Sequence, residues 1–448
     1  MHNGFQKCSF GELLKEKVKN GIYKSKTFHG SGLKIVNMGE LFRYPRLYDV
    51  DMKRIMVTEK EKDNFLLKNG DLLFARRSLT PEGAGKCCIV HNIESEMVFE
   101  SSLIRARPDC KKVNPYFLYY YFSSHLGIYL LYTIRRQVAV SGITGTDLMK
   151  LILDIPPLLE QQAIAHILGT LDDKIELNLR QNTTLEAMAQ AIFKEWFVDF
   201  GPVRAKMEGR QPEGMSREVA DLFPDRLDDE GKPEGWKIKT IEDVAQKVGM
   251  GPFGSSIKVS TFVASGIPII SGKHLNSVML SDTEYNFVTE KHAEKLKNSN
   301  VYRGDIVFTH AGNIGQVSYI PEISMYNKYI LSQRQFYMRC DLSIVSPEFI
   351  VYFFKSPEGQ HKLLANTSST GVPSISRPVS YIKTISFILP QKNILNVFEN
   401  IVKRLHRKIV NTKRENDLLI SLRDTLLPKL ISGELRVPDA EKMVADIV

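Results

Sequence analysis

The sequence contains no apolar stretch approaching the ~18 to 20 residues that a membrane span needs. Its start, MHNGFQKCSF, lacks the charged-then-apolar pattern of an export signal, so a cytoplasmic location is expected. Cysteine is scarce: Cys8, Cys87, Cys88, Cys110 and Cys340 show no paired spacing and read as reduced thiols rather than bridges or fingers. The ten histidines fall into no His-x-x-x-His pattern, and no metal site is expected. A Gly-x-x-x-x-Gly-Lys-Ser/Thr loop is missing, which excludes the usual phosphate cradle of an ATP-driven motor. Methyltransferase chemistry is equally short of support. No Phe-x-Gly-x-Gly loop for S-adenosylmethionine occurs, and Asn114-Pro115-Tyr116-Phe117 lacks the second proline of an Asn-Pro-Pro-aromatic loop, so Pro115 reads as a helix start. Pro224-Asp225 and Glu230-Gly231-Lys232 sit too close together to be a nuclease pair on two strands. No catalytic residue is expected on this chain.

What is present is size, positive charge and repetition. With 448 residues, 43% hydrophobic and 25% charged, the chain has room for two or three domains with cores of their own. The net charge of +9 suits a polyanionic partner, because clustered cations release counterions when they meet phosphates.

Self-similarity organises the chain. GDLLFAR from Gly70 is answered by GDIVFTH from Gly304, an offset of 234 residues. NPYFLYYYFSSHLG from Asn114 matches SPEFIVYFFKSPEG from Ser346, and DLMKLILDIPP, ending at Pro157, matches SYIKTISFILP, ending at Pro390. The chain is therefore internally duplicated. After each proline the pattern turns helical. Apolar residues recur at Ile164, Leu168, Leu171, Ile175, Leu185, Ala189, Ile192 and Trp196, and in the second copy at Phe398, Val402, Leu405, Ile409, Leu419, Leu422 and Leu426. Polar gaps interrupt both stripes, at Asn178 and Asn182 and at Thr412 and Asn416. A polar residue on a helical seam fixes register at some cost in stability, so the two helices are expected to pair antiparallel.

The expected fold class is α+β with mixed α/β character: two globular domains separated by two long antiparallel coiled-coil helices in a pseudo-two-fold repeat. The boundaries read as a first domain at 1–157, a central spacer helix at 158–200, a connector at 201–235, a second domain at 236–390, a distal spacer helix at 391–436 and a tail at 437–448. The connector is rich in Gly, Pro and charge, and one short helix is expected in it.

Basic and amide-bearing loops recur in both globular regions. Gly251, Phe253, Gly254, Ser255, Ser256 and Lys258 combine close backbone approach with phosphate or base-edge contacts, and Lys24, Ser25 and Lys26 lie near the equivalent register. Arg76 and Arg77 follow the first Gly-Asp strand, and His310, Asn313 and Gln316 follow the second. Such side chains can pair with guanine or adenine edges. Lys273, His274, Gln333 and Arg334 complete the candidate DNA-binding set.

The run IPPLLEQQAIAHILGTLDDKIELNLRQNTTLEAMAQAIFKEWFVDF from Ile155, with VRAKMEGRQPEG and PEGW after it, resembles the central region of type I restriction-modification specificity subunits. GPFGSS, GIPIISGKHL, DIVFTHAGNIGQV and LRDTLLPKLISGEL resemble the second recognition domain and distal helix of the same family. The resemblance implies two target-recognition domains, each reading half of an interrupted DNA site. It also implies two modification subunits that methylate adenine and two restriction subunits that translocate and cut DNA. S-adenosylmethionine, ATP and Mg2+ are then expected on those partners and none on this chain. Helices of about 40 residues span ~60 Å at ~1.5 Å per residue, more than one ~34 Å turn of DNA. Two other readings compete: a self-contained methyltransferase or nuclease, and a coiled-coil scaffold without a DNA role.

Overall fold

A computed structural model describes residues 4–136, 141–254, 256–368 and 371–445. The chain forms two units, one made of Met1–Leu177 with Glu415–Val448 and the other of Asn178–Arg414. Both follow one plan.

In the first unit a five-stranded sheet has the order Lys19–Asn20, Leu103–Ala106, Leu72–Ala75, Cys87–Val90, Arg46–Leu47. A second sheet sets His29–Val36 parallel to Met97–Phe99 and antiparallel to Arg54–Ile55. The second unit repeats these pairings: Ala245–Met250, Gln335–Cys340, Ile306–Thr309 and Val317–Tyr319 form one sheet, and Ile267–Ile270 runs parallel to Lys328–Leu331 in the other. Leu72–Ala75 and Ile306–Thr309 are buried along their whole length, which is why the two GD-led runs are uniformly apolar rather than alternating.

The repeated Gly-Asp is structural. Gly70 and Gly304 adopt φ of +86° and +87°, a left-handed turn that a side chain would strain. The aspartates that follow are fully buried and each receives a bidentate arginine. Arg107 Nε and Nη2 donate to Asp71 at 2.7 Å, and Arg339 Nε and Nη2 donate to Asp305 at 2.7 Å. Each carboxylate also caps its own turn, accepting the backbone N–H of Lys68 or Tyr302 at 2.8 Å.

Asn114 is a helix cap: its side chain accepts from the amides of Tyr116 and Phe117, with Pro115 at the first position of the helix Pro115–Ser123. Ser346 caps Pro347–Lys355 in the same way. Strand Gln6–Ser9 pairs with Ile152–Ile155, and Lys237–Thr240 with Ser386–Leu389, each as a separate two-stranded sheet that joins the two ends of a domain just before a long helix begins.

The long helices are Leu158–Phe197 and Lys392–Ser432, of 40 and 41 residues. Within the first unit, Ile164, Leu168 and Leu171 share a core with Leu419, Leu426 and Leu430; within the second, Leu185, Ala189, Phe193 and Trp196 share one with Phe398, Val402 and Ile409. Within each unit the segments of the two helices run in opposite directions, since the start of the first packs on the end of the second and its end on the start. The expected seam is corrected at two positions, where Phe193 rather than Ile192 and His406 rather than Leu405 are buried, Phe193 packing its ring against Phe349 and Phe398; Ile175 and Leu422 are half-buried. Asn178, Asn182, Thr412 and Asn416 are all buried, as polar seam residues should be.

Two expected helix ends change, and the connector is more ordered than its composition suggests. The helices end at Phe197 and Ser432 rather than 200 and 436. The connector holds two short helices, Gly201–Met207 and Arg217–Ala220, and is no loose tether. Val203 and Phe223 enter the core of the second unit, and Trp196 and Trp236 pack on Phe223, so its polar composition hid a few anchoring apolar residues. Lys232, once paired with a nuclease-like motif, simply bridges Asp228 and Glu230. The tail forms the helix Val437–Ala445 and buries Ala440 and Val444 against the first unit's core.

Candidate nucleic-acid interface

The two units can be superposed by hydrogen bonds rather than by sequence. Thr309 N donates to Gln316 O as Ala75 N does to Lys86 O; Gly251 N donates to Gln335 O as Gly21 N does to Leu103 O; Ser332 N donates to Ile270 O as Glu100 N does to Val36 O. This makes Gly21 the counterpart of Gly251. At each, an added Cβ would run into a carbonyl oxygen, of Glu100 or of Ser332, so only glycine allows the loop to cross that strand. Two residues further on, each loop projects an aromatic ring into solvent. Tyr23 is 84% exposed and Phe253 is 76% exposed. Tyr23 is missed in the sequence, where the candidate residues of this loop begin at Lys24; placing Gly21 on Gly251 finds it.

In the second unit a polar cavity of about 390 Å³ lies between the ends of these strands. Lys273, Asn313, Gln316 and Arg334 line it together with Asn276, Thr309, Ser332 and Gln335, so the structure brings four predicted residues to one place. Gln316 is held from all sides: its Nε2 donates to Gly272 O and Asn276 Oδ1, both at 3.1 Å, and Thr309 Oγ1 lies 3.2 Å from its Oε1. It orients Asn276 rather than offering its own amide. No carboxylate lines the cavity among the described residues.

The other predicted residues are placed as follows. His274 is a core residue. It is 1% exposed, its Nδ1 accepts from Ser271 N at 2.9 Å and its ring stacks on Tyr285, and burial holds its pKa below the usual imidazole value. Glu40 makes the same turn-closing bond to Asn37 N in the first unit, so His274 answers a capping need. His310 bonds the carbonyl of Gln333 at 3.1 Å and is likewise lowered by burial. Gln333 donates to Gly254 O and braces the glycine loop; Ser256 bonds Phe253 O at 2.8 Å. Lys258 is exposed, and Ser255 lies outside the described residues.

In the first unit, Lys24 is spent internally, on Glu61 at 2.7 Å and Met56 O at 2.9 Å, while Ser25 bonds Thr27 and Lys26 is exposed. Arg76 reaches Ser101 O at 3.3 Å and Arg77 is exposed on a strand paired with Ser141–Gly142. The positions equivalent to the second unit's cavity are chemically different. Lys86 stands where Gln316 does and lies over Phe42, 5.1 Å from the ring centroid, and Leu103 stands where Gln335 does.

The model of the type I restriction modification DNA specificity domain matches residues 5–187 and again 233–415. The chain belongs to that family. Each of its two matched segments carries one copy of the duplicated motifs, and its role is DNA sequence specificity in a type I restriction-modification system. The family is one of recognition subunits that act with partners. The chain is 28% identical to the HindI specificity subunit of Haemophilus influenzae over 415 residues, covering 82% of this chain and 87% of that one. It is 28% identical to the MjaIX specificity subunit of Methanocaldococcus jannaschii over 341 residues, covering 72% and 69%. Its fold matches that of a type I specificity subunit from M. genitalium with a TM-score of 0.56 at 14% identity, over 96% of this chain and 97% of the other. No helix among the described residues is long and apolar enough to cross a membrane.

Proposed function

We propose that this specificity subunit reads a two-part, asymmetric DNA site, one half with each duplicated domain, and so directs adenine methylation and restriction by partner subunits. The observation that carries the reading is the contrast within the repeat. The Gly-Asp turns, the bidentate Arg-Asp locks, the strand-crossing glycines and the helix caps coincide, whereas the position of Gln316 is held by Lys86 in the first unit and that of Gln335 by Leu103. Shared scaffold with divergent rim residues suits two half-sites of different sequence, because base edges are discriminated by donor and acceptor pattern. The partners of this reading are two modification subunits carrying S-adenosylmethionine and two restriction subunits using ATP and Mg2+. This chain supplies the address.

The test is to express the chain with its modification partner and map methylated adenines in the host DNA. A single interrupted motif with two unlike halves is expected. Methylation scattered without a motif, or methylation by the chain alone, would overturn the reading.

A further inference from the structure

Gln335 is 2% exposed, yet its side chain is only half used. The Ser332 hydroxyl bonds its Oε1, and Nε2 meets no acceptor among the described residues while its residue lines the polar cavity. The Nε2 atom is not one of the buried unpaired polar atoms, so it opens into the cavity, where its two N–H donors are free to meet an acceptor supplied by a ligand. Two more donors border the same space. The Arg334 guanidinium and the Lys273 ammonium pair with no carboxylate among the described residues, and both are exposed. Gln316 and Thr309 bond each other and leave the donors unmatched. The counterpart of Gln335 in the first unit, Leu103, is fully buried and apolar, so the strand position itself does not require an amide.

We propose that Gln335 determines specificity for a guanine in the half-site read by the second domain, donating from Nε2 to the major-groove edge beside the Arg334 guanidinium. The inference rests on the DNA-reading function proposed above. Guanine is the base whose major-groove edge offers two neighbouring acceptors, N7 and O6, and no donor; adenine and cytosine each present an amino group, for which Gln335 Nε2, Arg334 and Lys273 offer no acceptor. Arginine and a second donor are the usual complement of that edge.

The experiment maps methylation for the full complex with the wild-type chain, Gln335→Glu and Gln335→Leu. Glutamate keeps the shape and the Ser332 bond but replaces the donors with acceptors. Both variants should relax or change one guanine in one half of the motif, by about 10-fold in preference, while the other half stays intact and certifies folding and assembly. In a second measurement, the wild-type complex binds duplexes in which single guanines of the mapped site are 7-deazaguanine. One guanine of that half should weaken binding about 10-fold, and the same replacement should cost the Gln335→Glu complex little more. An unchanged motif in both variants, a change at an A·T position, or a uniform loss of binding across sequences would overturn the proposal. If the wild-type chain gives no two-part motif, the underlying function fails first and this inference with it.

Discussion

The Tyr352 hydroxyl lies 2.8 Å from Nε2 of His406, which sits on the distal helix, and Tyr319 meets the other ring nitrogen at 2.7 Å. In the first unit the matching tyrosine, Tyr120, bonds Asp172 on the proximal helix at 2.7 Å, and Arg423 holds the other carboxylate oxygen at 2.8 Å. Each domain is thus tied to a long helix by a buried tyrosine at the matched position, Tyr120 on Asp172 and Tyr352 on His406, and the titratable groups that receive them differ in kind.

His406 is buried and its pKa is lowered to about 4, chiefly by burial, with Lys413 adding to it. A histidine depressed in the fold contributes stability that is complete above ~6.5 and is lost as pH falls towards 4, because the unfolded chain binds the extra proton. Nearby Glu348, with one carboxylate oxygen buried and unpaired and Lys403 at 3.9 Å, is raised to about 7 by burial. Its ionisation penalises the fold increasingly from ~4.5 upward. The two slopes oppose, so they nearly cancel in the native chain. Urea unfolding from pH 4.5 to 6.5 should therefore tilt in opposite senses for His406→Gln and Glu348→Gln, by about 2 to 3 kcal/mol across the window. Parallel curves for the two variants would refute the assignment.

The Asp-Arg locks should differ in cost. Removing Asp305 takes from Arg339 the one carboxylate it pairs with among the described residues and should cost about 2 to 3 kcal/mol, discounted for the partial solvent access of Arg339, whereas removing Asp71 should cost less, because Arg107 keeps Glu16 at 3.1 Å. Replacing Asp305 and Arg339 together by Leu and Met should recover most of that. Chemical unfolding of single and double variants measures it, and a double variant as weak as the single would count against a lock.

Asn182 has both side-chain polar atoms buried without a hydrogen-bond partner among the described residues. Asn182→Leu should raise stability by about 1 kcal/mol, since an unsatisfied amide is exchanged for apolar contact. Register should loosen in return. A loss of stability would mean that the amide is bonded in solution.

Tyr23→Ala and Phe253→Ala should each weaken binding of the assembled complex to its own site about 5-fold or more, leaving the salt slope unchanged, because an aromatic ring contributes stacking and not counterion release. Filter binding or fluorescence anisotropy at several salt concentrations reads this. A changed slope with unchanged affinity would place these rings away from the DNA.

Duplication, the two long helices, their polar gaps and the helix starts at Pro115 and Pro347 are local facts of spacing and capping, and the sequence alone determined them. Membership of the family was legible for the same reason, since helix and connector motifs are contiguous. Which loop residues remain free was decided only by tertiary structure. Lys24 looks like a phosphate ligand until Glu61, far along the chain, takes it up, and His274 looks like a base reader until the fold buries it over Tyr285. Conversely, Gln335 passes in sequence for an ordinary strand residue. Only the meeting of three strand ends leaves its amide idle above a cavity, because hydrogen-bond satisfaction depends on distant partners that no local pattern encodes.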